Sequence, residues 1–550
     1  MCIRDRSIGY LFFLLLLGTT VWQSRGLARW HVEVRPKPEP EEQDKSNANN
    51  VLRWLSWAIL ASIGSIILIG STNVLCQEIA SHPFLWVLPL TMYLLSFIVA
   101  FEKPNWYRRR IVQVTFAVSV FSAILLFHLG TNAGLVFQLL GFASVTFLGT
   151  FVCHGELYRL RPSQESLTSF YLCIAAGGAM GGISTAFYAP VLFTGYFELH
   201  VGLLACLLFS GTIVAFEYFA KPKACLRKAS CEVFILMVAA LPVICSLTFY
   251  FDKNFRQDLL FQGRNHYGVV AVTEDDKFRR MINGQTHHGG QFVDSNRSGE
   301  PSAYYSAGSG VDVAFQIVRN RPKRRIGSGS NGETELEQNA NGKRLPVGLD
   351  VGIIGLGTGA MLSYGLPDDR FRFYEINPMV ETVARKYFDY LDNTNAEVVI
   401  GDGRIQIAKE NDETGPYQFD LLFVDAFTSD SIPVHLITLE CVDLYLKNLQ
   451  RDGVLVFHIT NQFVDLLPVI DSLASKNGLN KLLIDHKNDD FDIKTRWVLL
   501  SAQPLTESDK SNYQFRTEWP KNLRSVTWTD DKSALFPVVL WSSKLGRALK

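Results

Sequence analysis

Apolar residues run almost unbroken through eight stretches of the first half of the chain, at roughly 7–22, 54–75, 83–101, 111–129, 133–152, 168–189, 197–217 and 232–250. Most approach the ~20 residues a helix needs to cross hydrocarbon, so the pattern predicts a multi-span α-helical membrane region over 1–250. The first run is short and is followed by Arg25 and Arg29, as in a signal-like segment. Beyond residue 250 the pattern changes. Short alternating segments at Tyr267–Thr273, Phe278–Asn283 and Thr286–Phe292, broken by the hairpin dipeptide Asn283-Gly284, predict a small β domain over 251–300. From 347 onward apolar strands, glycine turns and helices alternate, which predicts an α/β domain with a parallel sheet over 301–550.

Two hydrophilic stretches interrupt this order. Residues 31–50, rich in Pro, Glu and Asn, read as a solvated linker, and residues 319–346 as a flexible surface insertion. The opening Met1-Cys2-Ile3-Arg4-Asp5-Arg6 resembles translated adapter sequence, which implies a truncated or chimeric frame with further helices ahead of residue 7.

Charge sharpens the division. Residues 51–250 hold only 18 Asp, Glu, Lys and Arg side chains, so the two halves face different solvents. Basic residues collect in alternate loops: Lys103 with Arg108, Arg109 and Arg110, then Arg159 with Arg161, then Lys221, Lys223, Arg227 and Lys228. Those loops are expected to be cytoplasmic, and the loops around Ser81, Asn132 and Gly195, which lack Lys and Arg, to lie on the other side. A further crossing at 232–250 then leads the second half out of the cytoplasm, whereas Lys253, Arg256 and Arg264 just beyond it argue the other way, so the side stays open. A net charge of zero gives no electrostatic reason to expect nucleic acid. Of nine cysteines only Cys441 falls in the second half, so no disulfide framework or Cys-rich metal site forms there.

Within the apolar half, Gly177, Gly178, Gly181 and Gly182 predict close helix packing. Glu78, beside Asn73 and Gln77, is either a carboxylate at headgroup level or the mark of a transport pathway.

The chemistry concentrates after residue 350. Val351–Ile354 is a buried-strand run that leads into Gly355-Leu356-Gly357-Thr358-Gly359, a turn that lets backbone approach a ligand closely. The next strand ends in Glu375, where an acid can accept both ribose hydroxyls; the third ends in Gly401-Asp402-Gly403, and the fourth in Asp425. Each acid alone could be a helix N-cap. Four successive strands presenting a glycine turn or a carboxylate at one sheet edge predict a Rossmann-like nucleoside site. No phosphate-loop sequence is present, and the glycine turn lacks the third spaced Gly of a dinucleotide fingerprint. His287 and His288 are adjacent, point to opposite faces of a strand, and read as surface histidines, so no metal site is expected.

From about 261 to 541 these residues resemble the spermidine synthase (aminopropyltransferase) family, particularly its membrane-fused branch. The resemblance rests on Asn265-His266-Tyr267-Gly268, Ile282-Asn283-Gly284, the 355–359 turn, Glu375-Ile376-Asn377-Pro378, Gly401-Asp402-Gly403 and the run Asp425–Pro433. In the membrane half it rests on Gln77-Glu78 followed by Pro83–Leu90, and on Cys153–Leu157. It implies a class I methyltransferase-type fold with Glu375 on the ribose, Asp402 on the adenine and Asp425 as the base for an attacking amine. Gly355, Gly357, Gly359 and Gly403 would complete the cofactor cradle, and Tyr304, Tyr305 and Asp430 would meet the acceptor. Decarboxylated S-adenosylmethionine, or S-adenosylmethionine itself, is the implied cofactor and a small amine the acceptor, in a multi-pass protein of a bacterial inner or plasma membrane; a homo-oligomer is compatible with this. The chain departs from the soluble enzymes at Thr358, where they carry an acid, and at Ala303-Tyr304-Tyr305-Ser306, which replaces their acidic tyrosine motif. Asp430, His435 and Asp530-Asp531 are candidates for replacement contacts. Two other readings remain: an S-adenosylmethionine-dependent methyltransferase, and a transporter or sensor whose nucleoside-binding domain is not catalytic.

Overall fold

The computed structural model describes residues 40–79, 85–129, 133, 135–219, 226–251, 258–283, 286–321, 348–392, 394–426, 433–461, 464–488, 493–503, 516–534 and 536–538. Residues 1–56 and 57–550 form separate compact units. The expected first span at 7–22 lies outside the described residues.

Helix α1 (Pro40–Asn73) begins inside the stretch expected to be a linker, so residues 40–50 are helical rather than extended. Proline at a first helical position has the φ a helix needs. Six more helices follow: α2 (Val87–Glu102), α3 (Arg109–Leu129), α4 (Leu135–Arg159), α5 (Leu167–Leu192), α6 (Glu198–Phe219) and α7 (Leu226–Phe251). Among the described residues five helical stretches are long and apolar enough to cross a membrane: Asn50–Cys76, Arg109–Leu129, Val136–Arg159, Leu167–Leu192 and Glu198–Ala215. Val87–Glu102 and Ile235–Leu247 are shorter apolar helices. Gly177 and Gly181 lie one turn apart on α5, where a Cβ would come within 2.2 Å of the Ala58 carbonyl oxygen and 2.4 Å of that of Ser62. Lacking side chains, they let α5 and α1 touch by backbone. Glu156 on α4 is buried, accepts from the Tyr107 hydroxyl at 2.7 Å, and is paired with Arg109 at 2.9 Å and Arg159 at 3.5 Å. Glu78 falls in a π-helical segment, Val74–Ile79; its side chain lies outside the described residues.

The second half holds two sheets. The smaller is an antiparallel meander of β1 (Leu259–Asn265), β2 (Gly268–Glu274), β3 (Phe278–Asn283) and β4 (Thr286–Phe292). The larger contains β5 (Asp350–Ile354), β6 (Arg370–Glu375), β7 (Glu397–Ile400), β8 (Phe419–Val424), β9 (Leu449–His458), β10 (Asn480–Asn488), β11 (Ile493–Ser501) and β12 (Arg516–Thr517), in the order β12-β10-β11-β9-β8-β5-β6-β7. Strands β7, β6, β5, β8 and β9 are parallel, as the alternating pattern predicts, and β11, β10 and β12 extend the sheet antiparallel. The central strands are apolar on both faces because each face carries its own core. Ile353, Phe373, Phe423 and Val456 face one core, and Ile354, Tyr374, Val424 and Phe457 the other. Strand order reverses between β5 and β8, which opens a crevice at their carboxyl ends.

The small sheet is fastened to the helical bundle through β1. Arg264 on β1 reaches Glu198, the first residue of α6, at 2.6 Å, donates to the Gly195 carbonyl at 2.8 Å and lies over the Tyr196 ring. Both charged side chains are almost wholly buried. This is the bundle end where α5 finishes and α6 starts; the basic residues Arg109, Arg159 and Arg161 belong to the opposite end.

Candidate active site

The glycine turn after β5 owes its composition to crowding. Gly355, Gly357 and Gly359 have φ of 102°, 54° and 83°, in the left-handed region that side chains disfavour. A Cβ on Gly355 would sit 2.3 Å from the Asp425 carbonyl oxygen, and one on Gly357 2.6 Å from that of His288. The turn is thus wedged between β8 on one side and β4 on the other.

Glu375, at the end of β6, is buried and accepts the backbone N–H of Leu356 at 2.9 Å and of Asn377 at 2.8 Å. Burial pushes its carboxyl above the usual range, against the opposing pull of these backbone donors. Asp402, after β7, caps helix α8 (Gly403–Thr414) through the Ile405 N–H and meets His435 Nε2 at 2.7 Å. Burial pushes Asp402 up, but the His435 contact and the backbone donors outweigh it and hold the carboxyl below its ordinary range.

Asp425, after β8, is buried and gripped from two sides. Tyr305 donates to Oδ2 at 2.6 Å, and His458 Nδ1 lies 2.7 Å from Oδ1. The His458 ring is stacked between Tyr304 (centroids 5.1 Å apart) and Trp497 (4.2 Å). The phenol oxygens of Tyr304 and Tyr305 are 3.3 Å apart; since Tyr305 gives its only proton to the carboxylate, Tyr304 donates in that contact. Burial first, then the Asp425 charge, push both phenols far above the ordinary tyrosine range, so both remain protonated donors. Ala303, just before them, has φ of 52° and is held there by Asn488, which donates to its carbonyl at 2.7 Å. Backbone strain of this kind persists only where the surroundings impose it.

These residues line one cleft of about 910 Å³, counting its open mouth, together with Tyr267, Val270, Met281, His288, Asn377 and Pro433. The walls are largely apolar and aromatic, with three carboxylates at the rim and floor, and no Lys or Arg among the lining residues described.

No family model matches the chain. The polyamine aminopropyltransferase of Vibrio vulnificus is 36% identical over 107 residues, 19% of this chain and 35% of that protein. The chain carries a spermidine synthase-like region. The N-terminal histidine N-methyltransferase of Emericella nidulans is 27% identical over 198 residues, 35% of this chain and 32% of that protein. The chain therefore spans about a third of the length of these two relatives. Spermidine synthase from Thermotoga maritima superposes with a TM-score of 0.32 at 18% identity, over 50% of this chain and 82% of that one. Human methyltransferase-like protein 13 in complex with SAH gives 0.25 at 20% identity, over 30% and 78%.

Gly355, Gly357, Glu375, Asp402, Gly403, Asp425, Tyr304 and Tyr305 share the cleft. Gly359 does not line it: the residue packs toward Leu391 and Tyr390, and its positive φ starts the short helix Ala360–Tyr364. Asp430 lies outside the described residues. His435 and Asp530 gather at the Asp402 end, where Asp530 binds Arg404 at 2.6 Å and Thr438 at 2.8 Å, so they buttress that rim and do not replace contacts near Asp425. Thr358 is buried, with Gly289 of β4 packed against it. His288 corrects the expectation of two surface histidines: it lines the cleft, and burial pushes its imidazole down to about 4. Strand alternation required one of the pair to face inward, and the inner side here is the cleft. His458 was missed, although the rule that found Asp425 applies to it, since it ends the apolar run of the next parallel strand.

Proposed function

We propose that the protein is a membrane-anchored, spermidine synthase-like aminopropyltransferase that uses decarboxylated S-adenosylmethionine and a small amine. The observation that carries this reading is the convergence of Glu375, Asp402 and Asp425 on one cleft at the sheet's switch point. The cleft fits a nucleoside in the chemistry of its lining: a turn whose Gly355 and Gly357 carry no side chains stands at the end of β5, and two acids stand at the ends of adjacent strands β6 and β7. Glu375 would accept the ribose hydroxyls and Asp402 the adenine amino group.

The bound donor supplies a carbon activated by a sulfonium leaving group. An alkylammonium has no lone pair with which to attack that carbon, so a base must first take its proton. Asp425 is the base in this reading, held in place by Tyr305 and His458. The amine nitrogen then bonds to the carbon as the carbon–sulfur bond breaks, and the bonding pair stays on sulfur as a neutral thioether. Asp425 passes its proton to water.

Charge supports the decarboxylated donor. Three carboxylates and no described Lys or Arg line the cleft, so a donor bearing a sulfonium and an ammonium is matched, whereas an added carboxylate finds only like charge. The similarity to a histidine N-methyltransferase favours a second reading, methyl transfer from S-adenosylmethionine. Mass spectrometry of products from purified full-length protein, given each donor and a panel of amines, separates the two. The first reading expects an aminopropylated amine and methylthioadenosine; methylated product alone supports the second, and no product from either donor contradicts both.

A further inference from the structure

The Asp425 carboxylate already receives two protein donors, which leaves the hydrogen-bonding of an incoming ammonium incomplete if that carboxylate is its only partner. An ammonium brings three N–H groups, and after losing one proton the attacking amine still carries two. Something other than the base must take one of these, or the nitrogen can rotate its lone pair away from the carbon.

His288 is the group in position to do so. It comes from β4, its backbone carbonyl packs against Gly357 in the glycine turn, and the residue lines the cleft within electrostatic reach of Asp425. Its Nε2 is shut off from solvent and has no hydrogen-bond partner among the described residues. A buried polar atom left unsatisfied is costly, and at the wall of a binding cleft a ligand is the natural partner. The Tyr305 hydroxyl, which donates to Asp425, also lies close to the turn, 3.7 Å from where a Gly357 Cβ would be. His288, Tyr305 and Asp425 therefore surround one corner of the cleft.

We propose that His288 is a specificity-determining residue for the acceptor: its unpartnered imidazole nitrogen accepts an N–H from a primary aliphatic amine and aims that amine's lone pair while Asp425 takes the proton. The inference rests on the reading of Asp425 given above. Burial disfavours the imidazolium, so the ring is neutral at neutral pH and offers a lone pair instead of repelling a cationic acceptor. The aromatic and apolar lining from Tyr267, Val270, Met281 and Tyr304 suits an alkyl chain on that amine. A tertiary amine, with one N–H in its cationic form, could meet Asp425 or His288 but not both.

The test uses full-length protein with His288→Leu, which keeps bulk and removes the nitrogen, and His288→Gln, whose amide oxygen falls near the place of Nε2. Two quantities are read: KM for n-butylamine and 1,3-diaminopropane in turnover with the decarboxylated donor, and Kd of the same amines for the protein saturated with methylthioadenosine. His288→Leu is expected to raise both by about tenfold, the worth of one hydrogen bond in a buried site. His288→Gln is expected to recover most of that loss, and nucleoside affinity to stay at the wild-type value in both variants, which also reports that they fold. Wild-type KM and Kd in His288→Leu, or no amine binding by wild-type protein, overturns the proposal. Amine binding that depends on His288 without any aminopropylated product would leave this inference standing and sink the transferase reading. Turnover with an acceptor KM indifferent to His288 would do the reverse.

Discussion

His458 Nδ1 lies 2.7 Å from Asp425 Oδ1, and the imidazole is clamped in that position by aromatic rings on both faces, Tyr304 and Trp497. The carboxylate that ends β8 is therefore oriented by a residue that ends β9, its parallel neighbour. His458 is not among the residues that line the cleft and acts through Asp425, as a positioning residue.

His458→Phe preserves the stack and removes the donor. Losing a hydrogen bond to a charged group costs about 1.5–3 kcal/mol, so kcat is expected to fall roughly 10- to 100-fold with nucleoside affinity unchanged. His458→Asn, whose amide nitrogen falls near the place of Nδ1, is expected to recover part of the rate. Steady-state kinetics decide it: an unaltered kcat in His458→Phe removes His458 from the mechanism.

Glu375 gives a pH signature. Burial raises its folded-state carboxyl above the unfolded value, so ionisation opposes folding: the penalty is absent below the unfolded pKa and complete above the folded one. Wild-type stability is accordingly expected to lose this group's contribution as pH rises from below the unfolded value through the folded one. Nucleoside affinity in the wild type is expected to weaken on acidification at a higher pH than an ordinary glutamate would dictate, because the ribose hydroxyls need an ionised acceptor. Calorimetry and titrations across pH check both; a Glu375→Gln variant that binds as tightly as wild type contradicts the assigned contact.

Backbone conformation predicts two substitutions of opposite sign. Ala303→Gly relieves a positive φ of 52° and is expected to be neutral or stabilising by up to about 1 kcal/mol. Gly355→Ala forces a Cβ to within 2.3 Å of the Asp425 carbonyl and is expected to cost about 1–3 kcal/mol and to weaken nucleoside binding. Denaturation midpoints measure the first, and binding the second.

The Arg264–Glu198 pair predicts how the two halves depend on each other. Removing one partner of a buried pair costs about 3–5 kcal/mol, so Glu198→Ala is expected to loosen the small sheet and expose β1 to proteolysis, with Arg264→Ala doing the same. The pair also has a topological consequence. It fastens the sheet domain to the bundle end opposite Arg109, Arg159 and Arg161, and loops rich in Lys and Arg stay in the cytoplasm. Cysteine-labelling in intact cells is expected to find the domain outside the cytoplasm, where the donor must reach it. Labelling only after the membrane is opened contradicts this.

Much of this architecture is legible in the chain because the fold uses strong, local signals. The long apolar runs, the buried strand before Gly355, and acids at strand ends such as Glu375, Asp402 and Asp425 all follow from periodicity and edge position. What is not legible depends on tertiary context. Pro40–Asn50 reads as a linker because its residues are polar, yet polarity does not prevent a helix with a favourable start. The inward turn of His288 becomes readable only once β4 is seen to dock on the glycine turn, which also explains the small Thr358 there. Gly359 belongs with the glycines by conformation but not by position, a distinction that spacing cannot make.

The most direct test is Asp425→Asn in the full-length protein, assayed in parallel for binding of the decarboxylated donor and for aminopropylated product. The amide keeps the size of the carboxyl and loses its basicity, so binding is expected at close to wild-type affinity with product formation abolished. Undiminished turnover in that variant, or wild-type protein that does not bind the donor, would contradict the account.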